Sequence, residues 1–197
     1  MLKKITSAIL TGTLAVSCLL TSGCALSPQI ISLQTSSPLE TSSTQLGRSA
    51  LVRVRDLREN TEQLGSRGGS QPKNAPLLAK PSLQQALQTK MQNSLQQLGF
   101  GGSSPFEPLK VDLTIEQFNY QCNEGFWVSQ CELAIILNLS IDNDTGKISQ
   151  PFTLKEQRSV VTSPRTGYNE EWINQSIDKL WLHMMSQPQI KQSLELN

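Results

Sequence analysis

The stretch CELAIILNLSI, residues 131–141, has the most regular pattern in this chain of 197 residues. Apolar side chains fall at every second position: Cys131, Leu133, Ile135, Leu137, Leu139 and Ile141. Ala134 and Ile136 lie on the opposite face. A period of two residues is typical of a β-strand with one face in the core. We predict that this stretch is the central strand of the domain.

Two further strands are predicted to flank it. Before it, Val111, Leu113 and Ile115 alternate, and Phe118 and Tyr120 continue the pattern in a shifted phase, which predicts a bulge. After it, DNDTGK at 142–147 is typical of a turn, and residues 148–161 form a third antiparallel strand. Pro151 places that strand toward an edge of the sheet.

The first half of the domain shows one more strand and a helix. Ala50, Val52 and Val54 alternate with arginines, and residues 56–74 then fit neither period, which predicts a long loop. Ser82 with Gln85 forms a capping box for an amphipathic helix that stops at Gly99.

A last helix is predicted after SPRTGYN, residues 163–169, with Asn169 as its cap, and Pro188 begins a short final turn or helix. The sequence therefore predicts an α+β domain over residues 47–197, in two layers. We expect a mostly antiparallel sheet with two amphipathic helices on one face, in the order strand-helix-strand-strand-strand-helix.

The N-terminus has the pattern of a secretory signal peptide over residues 1–23. Lys3 and Lys4 precede an uncharged apolar stretch that is too short to span a bilayer comfortably as a helix. Thr21-Ser22-Gly23-Cys24 resembles the lipobox of bacterial lipoproteins, in which the cysteine is lipidated and becomes the first residue. The position of Thr21 usually holds leucine. A rival box ending at Cys18 would leave too short an apolar core.

We therefore predict that Cys24 carries the lipid and that residues 24–46 form a flexible tether. Two or three acyl chains on one cysteine would anchor the protein stably. Ala25 stands where an aspartate would retain a lipoprotein in the inner membrane, so we expect the outer membrane, facing the periplasm. Ile30-Ile31-Ser32-Leu33 is apolar for a linker, and the alternative is that it docks as an edge strand.

Net charge and cysteine content bear on which ligands and partners the protein can bind. Removal of residues 1–23 deletes two lysines and no acids, so the formal net charge of +1 becomes −1. This balance argues against nucleic acid as a partner. Cys122 and Cys131 flank a predicted hairpin, and we expect a structural disulfide, with a free pair as the alternative. A zinc site would need two more ligands, so we expect no metal and no cofactor.

No catalytic constellation emerges from the remaining residues, and we expect no enzymatic activity. His183 is the only histidine and lacks a nucleophile motif. The glycines of residues 65–69 lack the ending of a phosphate loop. Glu170 and Glu171 suit the first turn of a helix without any role in glycan cleavage. Arginine and aromatic residues in loops are candidates for a binding surface. They are Asp56, Arg58, Arg67, Trp127, Arg165 and Tyr168.

With the lipobox, LVRVRDLREN at 51–60, LGSRGG at 64–69 and the strand at 131–141, the chain resembles the YajG-like family of bacterial lipoproteins. That family has no assigned activity, so the resemblance implies location and fold. We expect a membrane-anchored envelope lipoprotein whose domain binds an envelope protein or a cell-wall component. The alternative is an auxiliary subunit of a lipid or lipopolysaccharide transport complex.

Overall fold

A computed structural model describes residues 26–101, 107–123, 125, 127–161 and 163–196. Within these residues there are seven strands, three α-helices and one 3₁₀ turn at Pro72–Asn74. The strands are β1 (Gln29–Ser32), β2 (Ala50–Asp56), β3 (Gln63–Ser66), β4 (Pro76–Lys80), β5 (Leu109–Asn123), β6 (Ser129–Asn143) and β7 (Gly146–Val160). The helices are α1 (Leu83–Gln97), α2 (Thr166–Ser186) and α3 (Pro188–Ser193).

The strands form one open sheet in the order β1-β4-β3-β5-β6-β7, and β2 also pairs with β5. β5, β6 and β7 are 15 residues each and pair antiparallel along their length. β1 with β4, β2 with β5 and β3 with β5 are parallel pairs that involve fewer residues. The α+β class and the mostly antiparallel sheet are confirmed.

The periodicity of β5 to β7 matches their burial. Alternate side chains of β6 from Cys131 to Ile141 are buried, and the positions between them are partly exposed. The predicted bulge is present, since the register of β5 against β6 shifts between Ile115 and Gln117. β7 lies at the end of the strand order, as Pro151 indicated.

The predicted element order is incomplete because residues 56–74 are not simply a loop. They include β3 and the 3₁₀ turn, and β4 follows before the helix. β3 is four residues long and contains Gly65, and β4 is five residues long, so neither shows a period that a sequence pattern can detect. Their pairing with each other and with β5 and β1 stabilises them as strands.

Helix α1 begins as predicted, with the Ser82 hydroxyl accepting a hydrogen bond from the backbone N–H of Gln85. Its polar face also has a structural role. Gln84 Nε2 donates to the carbonyl of Val54, while Gln88 accepts from the N–H of Val54 and donates to the carbonyl of Val52. These amides form hydrogen bonds with backbone groups on the free edge of β2. A neighbouring strand would otherwise have to pair with that edge.

Helix α2 buries Trp172 and Trp181 completely. Glu156 of β7 accepts hydrogen bonds from Trp172 Nε1, the Ser176 hydroxyl and Lys179 Nζ. Burial alone would raise the pKa of Glu156, but these donors outweigh it and lower that pKa to about 2. The helix is thus fixed to β7 by a carboxylate that stays ionised.

The start of α2 differs from the prediction. The helix begins at Thr166, three residues before Asn169, and its N-cap residue Arg165 makes no side-chain capping bond. Asn169 is fully buried near the start of the helix, where its side chain forms hydrogen bonds with residues outside the helix. The predicted short final helix at Pro188 is present as α3.

The polar segment before β2 contacts the domain along much of its described length. The edge-strand alternative for Ile30–Leu33 is confirmed by the parallel pairing of β1 with β4. Further on, Lys90 Nζ and Asn93 Nδ2 of α1 donate to the carbonyls of Ser36 and Thr35. The predicted signal peptide (1–23) and Cys24 lie outside the described residues.

Candidate functional site

A gap in the strand pairing beside β5 creates a groove. β2 pairs with β5 up to Asp56 opposite Ile115, and β3 pairs with it from Gly65 opposite Tyr120. Neither strand pairs with β5 in between, next to the bulge. The chain connecting β2 to β3 loops out over residues 57–62 and forms one wall of the groove.

Arg58 fills the gap from within. Its guanidinium donates to the carbonyl oxygens of Gln63 (2.7 Å), Thr61 (3.3 Å) and Phe118 (3.4 Å). These bonds satisfy backbone carbonyls where no strand pairs with β5. Asp56 holds the guanidinium with two bonds, from Nε (2.9 Å) and Nη2 (2.7 Å). The side chains of Arg58 and Asp56 are only 7% and 3% exposed. The buried ion pair between Asp56 and Arg58 therefore stabilises the chain at the gap beside β5.

The groove has a volume of about 870 Å³ and runs along β5 from Glu116 to Asn123. Amide side chains line its floor: Gln117, Asn119, Gln121 and Asn123. The last three are exposed and fall at every second residue, so they share one face of the strand. Amides donate and accept hydrogen bonds without carrying charge. The floor is suited to holding an extended polar chain.

Another wall consists of the end of β3 and the glycine-containing loop that follows it. Gly65 and Gly68 have φ of +144° and +84°, and a Cβ at either would overlap a backbone carbonyl of β5, of Tyr120 or Cys122 respectively. The glycines of LGSRGG therefore let the backbone of this loop approach β5 closely. Glycine is needed at Gly65 and Gly68 because their backbone conformation and the approach to β5 leave no room for a side chain.

The tip end of the sheet is defined by the ends of β5, β3 and β7 and the starts of β6 and β1. The strand pairings place all of these together, and α2 starts from the same end. Arg67 lies buried here. It donates to the carbonyls of Ser27 (2.9 Å) and Pro164 (3.2 Å). It thus joins the N-terminal segment to the loop before α2 and is not part of an open surface.

A chain of buried amides continues this network. The Tyr120 hydroxyl donates to Asn169 Oδ1 (2.6 Å), Asn169 Nδ2 donates to Gln29 Oε1 (2.7 Å), and Gln29 Nε2 donates to the Pro164 carbonyl (3.1 Å). Burial raises the pKa of Tyr120, so it remains a protonated donor. The network fixes where β1 and the residues before it leave the domain.

The other predicted residues also lie at the tip end. Cys122 and Cys131 form a disulfide between β5 and β6, as expected. Trp127, in the connection between these strands, is 77% exposed, and Phe126 lies outside the described residues. Arg165 is exposed, and Tyr168 is 36% exposed beside Arg158.

The structure thus separates the candidate surface residues into two groups. Asp56, Arg58 and Arg67 make internal contacts, whereas Trp127, Arg165 and Tyr168 are exposed at one end. The amides of β5 were missed. The signal for them was available, because they occupy the solvent phase of a strand whose apolar phase had been recognised.

The residues considered for catalysis lie apart from the groove. His183 is exposed near the end of α2, and Glu170 accepts a hydrogen bond from the N–H of Ser32. Among the described residues no cluster of His, Cys, Asp or Glu could hold a metal ion. Within the same residues, no helix has the length and apolarity to cross a membrane.

Comparison with known proteins identifies the family. A family model described as uncharacterized lipoprotein matches residues 36–195. The chain belongs to this family. The resemblance to YajG-like lipoproteins is thereby confirmed. The match spans the domain from the segment along α1 to the end of α3.

Two solved structures align with most of the chain. A DUF330 protein from Xanthomonas campestris aligns with a TM-score of 0.53 at 10% identity, over 80% of this chain and 92% of that one. A neuraminyllactose-binding hemagglutinin homolog from Helicobacter pylori aligns with a TM-score of 0.43 at 13% identity, over 84% and 97%. A search of curated proteins found no match. At this identity the first likeness concerns the fold alone.

Proposed function

We propose that this protein is a lipoprotein anchored through Cys24 in the outer membrane, facing the periplasm, and that its domain is a non-catalytic binding module. Membership of a lipoprotein family supports the anchor, together with the lipobox that ends at Cys24. The groove along β5 supports the binding role. It offers a row of neutral hydrogen-bonding groups on a rigid strand, which suits holding a ligand.

The row of amides on β5 favours a hydroxyl-rich chain, and the cell-wall glycan is an envelope polymer of that kind. Asn119, Gln121 and Asn123 each present a donor and an acceptor, and a strand spaces alternate side chains about 6 to 7 Å apart. A hydroxyl needs both a donor and an acceptor, which an amide supplies from one side chain. The guanidinium of Arg58 is occupied by its contacts with Asp56, Gln63 and Phe118.

Replacement of two groove amides should abolish glycan binding. The mature protein is expected to co-sediment with purified peptidoglycan sacculi, and the double variant Asn119→Ala, Gln121→Ala should lose most of that binding. Gln157→Ala is the matched control. It removes an exposed amide from the same face of the sheet, two strands away from the groove, and should leave binding unchanged. Equal sedimentation of the double variant and the wild type would contradict the glycan site, and release of soluble fragments would contradict a non-catalytic role.

Anchoring is tested by Cys24→Ser. Because the thiol is the group that receives the lipid, this variant should accumulate as an unprocessed precursor or leave the membrane fraction altogether. Cell fractionation and a mass measurement of the mature N-terminus provide the readout. A Cys18→Ser variant should be processed normally. Membrane retention of a correctly processed Cys24→Ser protein would show that the anchor lies elsewhere.

A further inference from the structure

Three exposed apolar side chains lie at the tip end, which is also the end of the sheet from which the N-terminal segment leaves the domain. Trp127 is 77% exposed, Val161 is 80% exposed and Val128 is 39% exposed. Val160 pairs with Ser129, so Val161 and Val128 directly adjoin the paired ends of two neighbouring strands. We call Trp127, Val128 and Val161 the tip patch.

The N-terminal segment reaches this same end. β1 runs parallel to β4 and antiparallel to β3, so Gln29 lies at the end where β3 and β5 finish. Arg67 holds the carbonyl of Ser27, and the amide network holds Gln29. The polypeptide is therefore fixed to the domain as far back as Ser27.

Only two residues, Ala25 and Leu26, separate Ser27 from Cys24, so the tether is short. Fully extended, the three steps from Cys24 to Ser27 span about 11 Å. A free chain over residues 25–45 would instead allow a root-mean-square span of about 25 Å. Since β1 and Arg67 hold the segment, a lipid on Cys24 keeps the tip end next to the membrane surface.

We propose that the tip patch inserts into the interfacial region of the bilayer that holds the lipid of Cys24. Tryptophan with aliphatic neighbours is typical of surfaces that contact a membrane interface, because the indole is apolar and carries one polar N–H. Arg165 and Tyr168 are exposed nearby and suit the headgroup level. Insertion of the tip patch gives the protein a second membrane contact in addition to the acyl chains. It also orients the domain relative to the bilayer.

This orientation also places the groove. The groove follows β5 from Glu116 to Asn123, and Asn123 lies at the tip end, so the groove starts near the headgroups and extends about 25 Å away from them. A ligand in the groove would therefore lie along the half of β5 that is nearer to the bilayer. The inference rests on the proposed lipid anchor and goes beyond it by assigning which end of the domain touches lipid.

The fluorescence of Trp127 can report whether the tip patch enters the bilayer. The chain has three tryptophans, and Trp172 and Trp181 are fully buried. The mature lipidated protein would be reconstituted in vesicles of phosphatidylethanolamine and phosphatidylglycerol, with part of the lipid brominated near the carbonyl end of its acyl chains. Bromine quenches only nearby indoles, so tryptophan emission should fall by up to about one third, and Trp127→Gln should remove that quenching.

A relocated tryptophan provides the matched control. Leu182 is 46% exposed near the C-terminal end of α2, which begins at the tip end and runs away from it. Trp127→Phe combined with Leu182→Trp keeps three tryptophans and should show no quenching by brominated lipid. Quenching of the relocated tryptophan to the same extent as Trp127 would overturn the orientation.

Two failures are distinguishable. If the lipidated wild type does not associate with vesicles, the anchor proposal falls, and the orientation falls with it. If the wild type is vesicle-bound through Cys24 but brominated lipid leaves its emission unchanged, the anchor stands and the tip patch does not touch the bilayer. In that case the tip patch would be a surface for a protein partner.

Discussion

Replacing Arg58 with alanine should lower the free energy of unfolding by about 3 to 5 kcal/mol, because removing one partner of a buried ion pair leaves an uncompensated charge. Asp56 would retain a carboxylate that is 3% exposed and has lost both guanidinium bonds. The carbonyl of Gln63 would lose its donor from Arg58 as well. Urea unfolding of the purified protein, followed by the emission of its buried tryptophans, measures the change.

Arg53→Ala is the matched control. Arg53 pairs with Asp112 between adjacent strands at 2.5 Å, but its side chain is 66% exposed. Pairs in contact with solvent contribute little to stability, so this variant should unfold close to the wild type. The two substitutions remove the same side chain from ion pairs at opposite extremes of burial. Equal destabilisation by both would refute the role assigned to the Asp56-Arg58 pair.

A lysine at position 58 separates charge from geometry. Lysine keeps the positive charge but has no planar fork, so it cannot bind Asp56 through two nitrogens and also reach Gln63 and Phe118. Arg58→Lys should therefore recover only part of the stability that Arg58→Ala loses. Full recovery would mean that charge alone fixes the chain beside the bulge.

The parts of the fold that the sequence predicted are those with long patterns. β5, β6 and β7 repeat their alternation over many residues, and α1 combines an apolar face with a cap at Ser82. The bulge was predictable because one extra residue shifts the phase between Ile115 and Phe118. In each case the pattern lies within one element and needs no knowledge of its neighbours.

The missed parts depend on contacts between distant residues. β3 and β4 are strands because β5 and β1 lie beside them, and nothing in QLGS or PLLAK shows that by itself. Arg58 and Arg67 looked like surface arginines, since a sequence does not show that Asp56 and the carbonyls of Ser27 and Pro164 surround them. Asn169 has the side chain of a typical N-cap, but the helix begins three residues earlier and a buried tyrosine hydroxyl donates to that side chain.

The second large effect is expected for Gly65→Ala, which should destabilise the protein by roughly 4 kcal/mol, combining backbone strain with overpacking. Its φ of +144° is one that residues with a Cβ rarely adopt, and the added methyl would overlap the carbonyl oxygen of Tyr120. Since the obstacle is backbone of the longest strands, it cannot move aside as a flexible side chain would. β3 would have to separate from β5, and the wall of the groove would move with it.

Gly167→Ala is the control, because a Cβ there meets no atom within 4 Å and the position lies in α2. It should change stability by less than about 1 kcal/mol, toward stabilisation. Gly65→Ala has a second expected effect, since Arg67 follows two residues later and holds Ser27. Displacement of β3 should loosen the N-terminal segment, and hydrogen exchange at β1 should accelerate more than exchange in β6. A Gly65→Ala protein with wild-type stability and unchanged exchange at β1 would show that β3 can move without cost, and would remove the argument for a rigid short tether.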